Sequence, residues 1–150
     1  MAVRELGESD LDALLALYGD LHSKDDPLPP RASVEQTWNT ILAGVGNHYF
    51  GYFEGDQLIS SCVLTVVPNL TRGCRPYGLV ENVVTRVSHR RRGCATAVLH
   101  HALELAWSQR CYKVMLLTGS TDAGVLAFYE AAGFKPGVKK GFVALPGAGL

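Results

Sequence analysis

The stretch Glu81-Asn82-Val83-Val84-Thr85-Arg86-Val87-Ser88-His89-Arg90-Arg91-Arg92-Gly93-Cys94-Ala95-Thr96 decides the fold. It begins as an apolar, β-branched segment, passes through a short run of positive charge, and reaches Gly93 at the head of a helical pattern. A strand therefore turns into a helix across a basic, glycine-containing loop. The first turn of a helix leaves backbone N–H groups without intrahelical partners at the positive end of the dipole, which suits an anion such as phosphate. Gly93 permits unusual dihedrals and close backbone approach, and the small Ala95 and Thr96 keep that turn open.

Outward from this stretch the chain reads as alternating elements. Leu79 to Val87 is the strand just described. Beyond Gly93, Ala95, Val98, Leu99, Ala102, Leu105 and Ala106 recur at helical spacing. Lys113 to Thr118 is a short apolar strand, so the crossover places two parallel or splayed neighbours in one sheet. A helix from Asp122 to Ala132 stops at Gly133, and a last strand is expected over Lys140 to Leu145, with a loose tail from Pro146 to Leu150.

Upstream, Val3 to Leu6 reads as a first strand. Ser9 to Asp12 resembles a capping box before a helix carrying Leu11, Leu14, Leu15, Tyr18 and Leu21. The prolines between Lys24 and Arg31 require a loop. Ser33 with Gln36 suggests a second capping box, before a helix with Val34, Trp38, Ile41 and Leu42 that ends at Gly44. Tyr49 to Phe53 and Leu58 to Val67 form a hairpin around Glu54-Gly55-Asp56, and Asn69 to Tyr77 is a surface loop. The fold class is α+β (mixed α/β), one domain over residues 1–150.

Composition narrows the function. The chain of 150 residues balances 14 Lys plus Arg against 14 Asp plus Glu and is 47% hydrophobic, so no global field points to nucleic acid or an anionic membrane. No apolar run is long enough to span a bilayer, and Met1 to Leu6 lacks a signal-peptide core, so a cytoplasmic location is expected. Cys62, Cys74, Cys94 and Cys111 are irregularly spaced, without a paired zinc pattern, and are read as buried or incidental thiols; no metal is expected. Cys94 has no neighbouring base and reads as a space-filler. Tyr18 and Trp38 read as core, and His100 and His101 point to different helix faces.

Arg90-x-x-Gly93-x-Ala95, followed one crossover later by Phe128-Tyr129-Glu130-Ala131-Ala132-Gly133-Phe134, resembles the GNAT superfamily of acetyl-CoA-dependent N-acetyltransferases. The resemblance implies a mostly antiparallel central sheet with a splayed parallel strand pair, flanked by helices. It implies acetyl-CoA as co-substrate, with the coenzyme pyrophosphate held across Arg90, Arg91, Arg92, Gly93, Cys94, Ala95 and Thr96, chiefly by the backbone amides from Arg91 through Thr96. By the same resemblance Val83, Val84 and Thr85 offer backbone hydrogen bonds to the pantetheine arm, Asp122 and Phe128 lie beside that arm, and Tyr129 is similar to the tyrosine that protonates the departing thiolate. Glu81 stands where some members place the carboxylate that deprotonates the amine, directly or through water. Asp122 and Val125 replace the more usual Asn and Ala, and Val87 a common proline. The segments Glu81-Asn82-Val83-Val84 and Cys111-Tyr112-Lys113-Val114-Met115-Leu116 look like the branch containing glucosamine-6-phosphate N-acetyltransferase.

The expected reaction is acetyl transfer to the primary amine of a small molecule by direct attack in a ternary complex. Alternatives are a protein or peptide acceptor, and a non-catalytic acyl-CoA-binding module. The acceptor-choosing loops, Lys24 to Arg31 and Asn69 to Tyr77, match no motif. No nucleic-acid or membrane partner is expected; the apolar C-terminal strand could support a homodimer, though the sequence shows no interface for one.

Overall fold

The computed structural model describes residues 3–22 and 24–147, and the chain divides at Leu116/Leu117 into two compact units. The first unit holds the strands β1 (Val3–Glu5), β2 (Asn47–Glu54), β3 (Gln57–Val67), β4 (Tyr77–Thr85) and β5 (Val114–Leu116), and the helices α1 (Leu11–Tyr18), α2 (Arg31–Ala43) and α4 (Cys94–Ser108). A single turn, α3 (Thr71–Cys74), precedes β4.

The five strands form one sheet in the order β1-β2-β3-β4-β5. All pairs are antiparallel except β4 with β5. Hairpin β2/β3 closes on Gly55-Asp56 between the Glu54–Gln57 pair, and Gly55 takes the left-handed φ of +57° that such a short loop requires. β3 lies in the middle, and Leu58 through Leu64 are buried throughout, as in a strand covered on both faces. Leu11, Leu14 and Leu17 of α1 pack with Leu6, Trp38, Leu58 and Val84. From α4 come Val98, Leu99, Ala102 and Ala106, all fully buried, and the Cys62 thiol donates to the Val98 carbonyl at 3.5 Å.

Three local expectations in this unit are corrected. The first helix is not capped by Ser9 and Asp12: a 3-10 turn, Glu8–Asp10, precedes α1, and the Asp10 carboxylate accepts the Gly7 N–H at 2.8 Å and a bidentate pair of bonds from Arg4. Ser33 does not cap the second helix, because Pro30, with φ preset near the helical value, lets α2 start at Arg31; Ser33 lies inside, its carbonyl accepting from Thr37. β4 starts and ends two residues earlier than expected. Its ladder finishes where Arg86 N–H donates to Ile59 O at 2.9 Å, and Val87–His89 curl into a 3-10 turn.

The second unit runs from Leu117 and contains α5 (Ala123–Ala131). No strand forms over Lys140 to Leu145 among the described residues, and Val138, Phe142, Val143 and Leu145 are exposed. An apolar, β-branched stretch becomes a strand only with a sheet edge to pair, and this one makes no ladder. The expected tail lies partly outside the described residues, at 148–150.

Candidate active site

The splay expected of β4 and β5 is visible in their register. β5 pairs only with Gly78, Leu79 and Val80, through Val114, Met115 and Leu116, while β4 runs on through Glu81 to Thr85 against β3 alone. The strand is also broken internally. Between the pairs Ser61–Val84 and Val63–Glu81, Cys62 opposes two residues, Asn82 and Val83, and Asn82 adopts φ +51°. This is a β-bulge, which bends the strand and re-aims the side chains beyond it. Val84 is buried and Val83 and Thr85 are half-buried. The end of the strand is tied down by Ser60, whose hydroxyl donates to Val84 O and meets Thr85 Oγ1, both at 2.8 Å.

Next comes the turn into α4. Arg91 (φ +61°) and Gly93 (φ +81°) are both left-handed, and Gly93 is the N-cap. A Cβ on Gly93 would meet nothing within 4 Å, so glycine is required there for backbone conformation and not for space. No side chain caps α4; the first intrahelical bond is Ala97 N–H to Gly93 O at 3.0 Å. The amides of Cys94, Ala95 and Thr96 thus stand at the positive helix end without helical acceptors.

The arginines are partly committed elsewhere. Arg90 donates to the Thr85 and Asp20 carbonyls, each at 3.4 Å. Arg92 and His89 approach Glu54 at 3.6 and 3.5 Å. Arg91 is exposed with no ion-pair partner among the described residues. The Cys94 thiol is buried, and burial first, then the Glu54 charge, push its pKa up despite Arg92, the reverse of an activated nucleophile.

Glu81 is exposed on β4, without an ion-pair partner among the described residues. Near the bulge lies a residue that periodicity assigned to the core. The Tyr18 hydroxyl is buried and faces the Asn82 side chain without reaching hydrogen-bond geometry, and burial raises its pKa above the usual phenol range. Tyr18 packs against the core cluster, as its spacing on α1 predicts, with its hydroxyl on the side of the bulge.

In the second unit Asp122 is the N-cap of α5, its carboxylate accepting from Gly124 and Val125 N–H at 2.8 and 3.1 Å. At the other end, Phe134 N–H donates to Tyr129 O and Gly133 N–H to Glu130 O, both at 3.0 Å, with Gly133 at φ +104°. That is a Schellman motif, and it explains why Gly133-Phe134 follows the helix. The Tyr129 ring stands 5.0 Å from Phe128 and meets Phe134 edge-on at 6.3 Å. Among the described residues no group of three or more His, Cys, Asp or Glu side chains is placed to hold a metal, and no helix is long and apolar enough to cross a membrane.

The acetyltransferase (GNAT) family model matches residues 11–134, a span that includes the splayed parallel pair and the glycine-led helix. The chain belongs to that family and is an acetyltransferase. It is 33% identical over 138 residues to the glucosamine 6-phosphate N-acetyltransferase of Trypanosoma brucei brucei, covering 90% of this chain and 89% of that protein. A solved structure from Agrobacterium tumefaciens str. C58, assigned as an acetyltransferase, superposes with a TM-score of 0.90 at 41% identity, covering 97% of this chain and 99% of that one. The Arabidopsis thaliana glucosamine-6-phosphate N-acetyltransferase shares the fold, with a TM-score of 0.78 at 20% identity and 95% of each chain covered.

Proposed function

We propose that this chain transfers acetyl from acetyl-CoA to the primary amine of a small molecule, by direct attack within a ternary complex. The observation that carries the reading is the uncapped start of α4 behind left-handed Gly93, directly after a strand that its parallel neighbour leaves. In this reading the amides from Arg91 through Thr96 take the coenzyme pyrophosphate, with charge from Arg90, Arg91 and Arg92 nearby. Val83, Val84 and Thr85 receive the pantetheine arm along the bulged end of β4, and Phe128 supplies apolar surface to it. Asp122 acts there through the helix it caps.

Acetyl-CoA supplies the acyl group as a thioester. The amine attacks only when neutral, and Glu81 accepts its proton, directly or through water. As the C–N bond forms and the C–S bond breaks, the Tyr129 phenol gives a proton to the sulfur, so the coenzyme leaves as a thiol. The family match crosses the boundary between the two units, which supports one acetyltransferase domain over residues 1–150. A cytoplasmic location and a homodimer formed through the exposed apolar residues Phe142, Val143 and Leu145 belong to the same reading.

Amino sugars are the first acceptors to try, given the relative that acts on glucosamine 6-phosphate. Thiol release is measured with acetyl-CoA over amino sugars, polyamines, aminoglycosides and peptides. Turnover concentrated in the small amines supports the proposal. Turnover on peptides alone moves the acceptor to protein, and tight acetyl-CoA binding with no turnover makes the chain a binding module.

A further inference from the structure

Between β4 and α4 the chain holds Arg91 at φ +61°, a left-handed conformation that costs an arginine energy and that Gly93, two residues on, adopts freely. A backbone in that state persists only where its surroundings over-determine it. The Arg91 side chain gives no such support, being exposed and without an ion-pair partner among the described residues. The residues on either side of it do, and both reach one carboxylate, that of Glu54.

His89 Nε2 lies 3.5 Å from Glu54 Oε2, and Arg92 Nη2 lies 3.6 Å from Glu54 Oε1, so each oxygen takes one partner from one side of Arg91. A carboxylate only accepts, which puts the His89 proton on Nε2; Nδ1, 2.7 Å from Ser88 Oγ, then accepts that hydroxyl when the ring is neutral. The His89 side chain is 17% exposed against 54% for Arg92, so water screens the histidine contact less. Arg90 makes the other tie, to the Thr85 and Asp20 carbonyls, but it holds only the β4 side of Arg91. Glu54 is itself fixed, as the last residue of β2, paired with Gln57 across the two-residue hairpin turn. The start of the loop hangs from the same hairpin, since Arg86 Nε donates to Leu58 O at 2.7 Å and Arg86 N–H to Ile59 O at 2.9 Å.

We propose that Glu54 is a positioning residue for the coenzyme seat: by holding His89 and Arg92 it keeps Arg91 left-handed, so that the loop has its binding shape before acetyl-CoA arrives. The assignment rests on the coenzyme reading above. Charge alone would make a carboxylate unwelcome here, because its field extends to the start of α4, where burial first and the Glu54 charge second raise the Cys94 pKa. The use of Glu54 is therefore conformational. A loop that spends only a fraction of its time in the competent shape binds its ligand more weakly by that fraction. Three consecutive arginines, Arg90 to Arg92, repel one another and favour looser arrangements of the loop. One carboxylate that grips both sides of the strained residue opposes this, and no other side chain among the described residues pairs with both sides.

The test is a double-mutant cycle on the full chain with Glu54→Gln, which removes the charge and keeps the shape, and Arg91→Gly, since glycine enters the left-handed region as readily as the right. Acetyl-CoA affinity is read by calorimetry, and amide exchange is followed in the free protein. Glu54→Gln should raise the Kd for acetyl-CoA about three- to tenfold, as when the competent loop population falls to about a third or a tenth. Exchange at the Ala97 amide, which donates to Gly93 O at 3.0 Å, should quicken by a similar factor in the free chain. In the Arg91→Gly background the same Glu54→Gln change should move Kd by less than about twofold, because the strain that Glu54 offsets is gone. Tighter acetyl-CoA binding in Glu54→Gln would make the carboxylate an opposing charge and overturn the proposal. So would an unchanged Kd, or an equal loss of affinity in both backgrounds. A native chain that binds no acetyl-CoA overturns the coenzyme reading and the positioning role with it.

Discussion

Phe134 N–H donates to the Tyr129 carbonyl at 3.0 Å, and the two rings meet edge-on at 6.3 Å. The backbone bond and the ring contact are the two halves of one helix stop, and they fix the rotation of Tyr129 within its unit. The phenol's orientation is therefore set by Gly133, which alone allows the chain to turn back at φ +104°. A Cβ at Gly133 would meet nothing within 4 Å. Gly133→Ala accordingly costs about 1–2 kcal/mol through backbone conformation and not through crowding. Urea denaturation reads this loss directly, and kcat should fall with KM for acetyl-CoA little changed.

Tyr129→Phe keeps both ring contacts and removes the proton. Turnover should fall by about a hundredfold or more, the usual worth of a positioned acid, with the thermal shift given by acetyl-CoA unaltered. Equal turnover across the pH range would remove Tyr129 from the reaction.

Thiol chemistry separates direct transfer from an acyl-cysteine route. Cys62 and Cys94 are buried; burial pushes the Cys62 thiol up to about 12 and raises Cys94 as well. Cys74 is exposed. Iodoacetamide at neutral pH should label Cys74 first and leave Cys62 and Cys94 unmodified, and Cys94→Ala should retain turnover. Rapid labelling of Cys94 with loss of activity would point to a covalent intermediate.

Much of the site was legible because its signals are local. Gly93 after a basic run and Gly133 after Phe128-Tyr129 mark backbone conformations that few other residues adopt, so strand, turn, helix and helix stop could all be placed in advance. The bulge could not, since Glu81-Asn82-Val83-Val84 reads as an ordinary strand and the extra residue is defined only against Cys62 on β3. Ser9 and Ser33 misled because a buried acid, Asp10, at the start of α1 and a proline, Pro30, at the start of α2 had stronger effects than a capping pattern.

Asp10 predicts a pH dependence of stability. The Arg4 side chain first, and the Gly7 N–H after it, hold the carboxylate below its usual pKa despite burial. A lowered folded pKa stabilises above the unfolded value of about 3.9, and that contribution is lost as pH falls through the folded one. Asp10→Asn should therefore lower unfolding free energy by about 1.5–3 kcal/mol at pH 7, with the gap to the native chain closing below about pH 4. Urea midpoints at pH 7 and pH 3 check this.

The central claim is that acetyl-CoA binds on the uncapped start of α4, and amide hydrogen exchange with and without acetyl-CoA tests it most directly. The amides of Arg91 through Thr96 should become strongly protected on binding, while those of the β2/β3 turn at Gly55 and Asp56 change little. Saturating acetyl-CoA that leaves residues 91–96 exchanging as before would contradict the account.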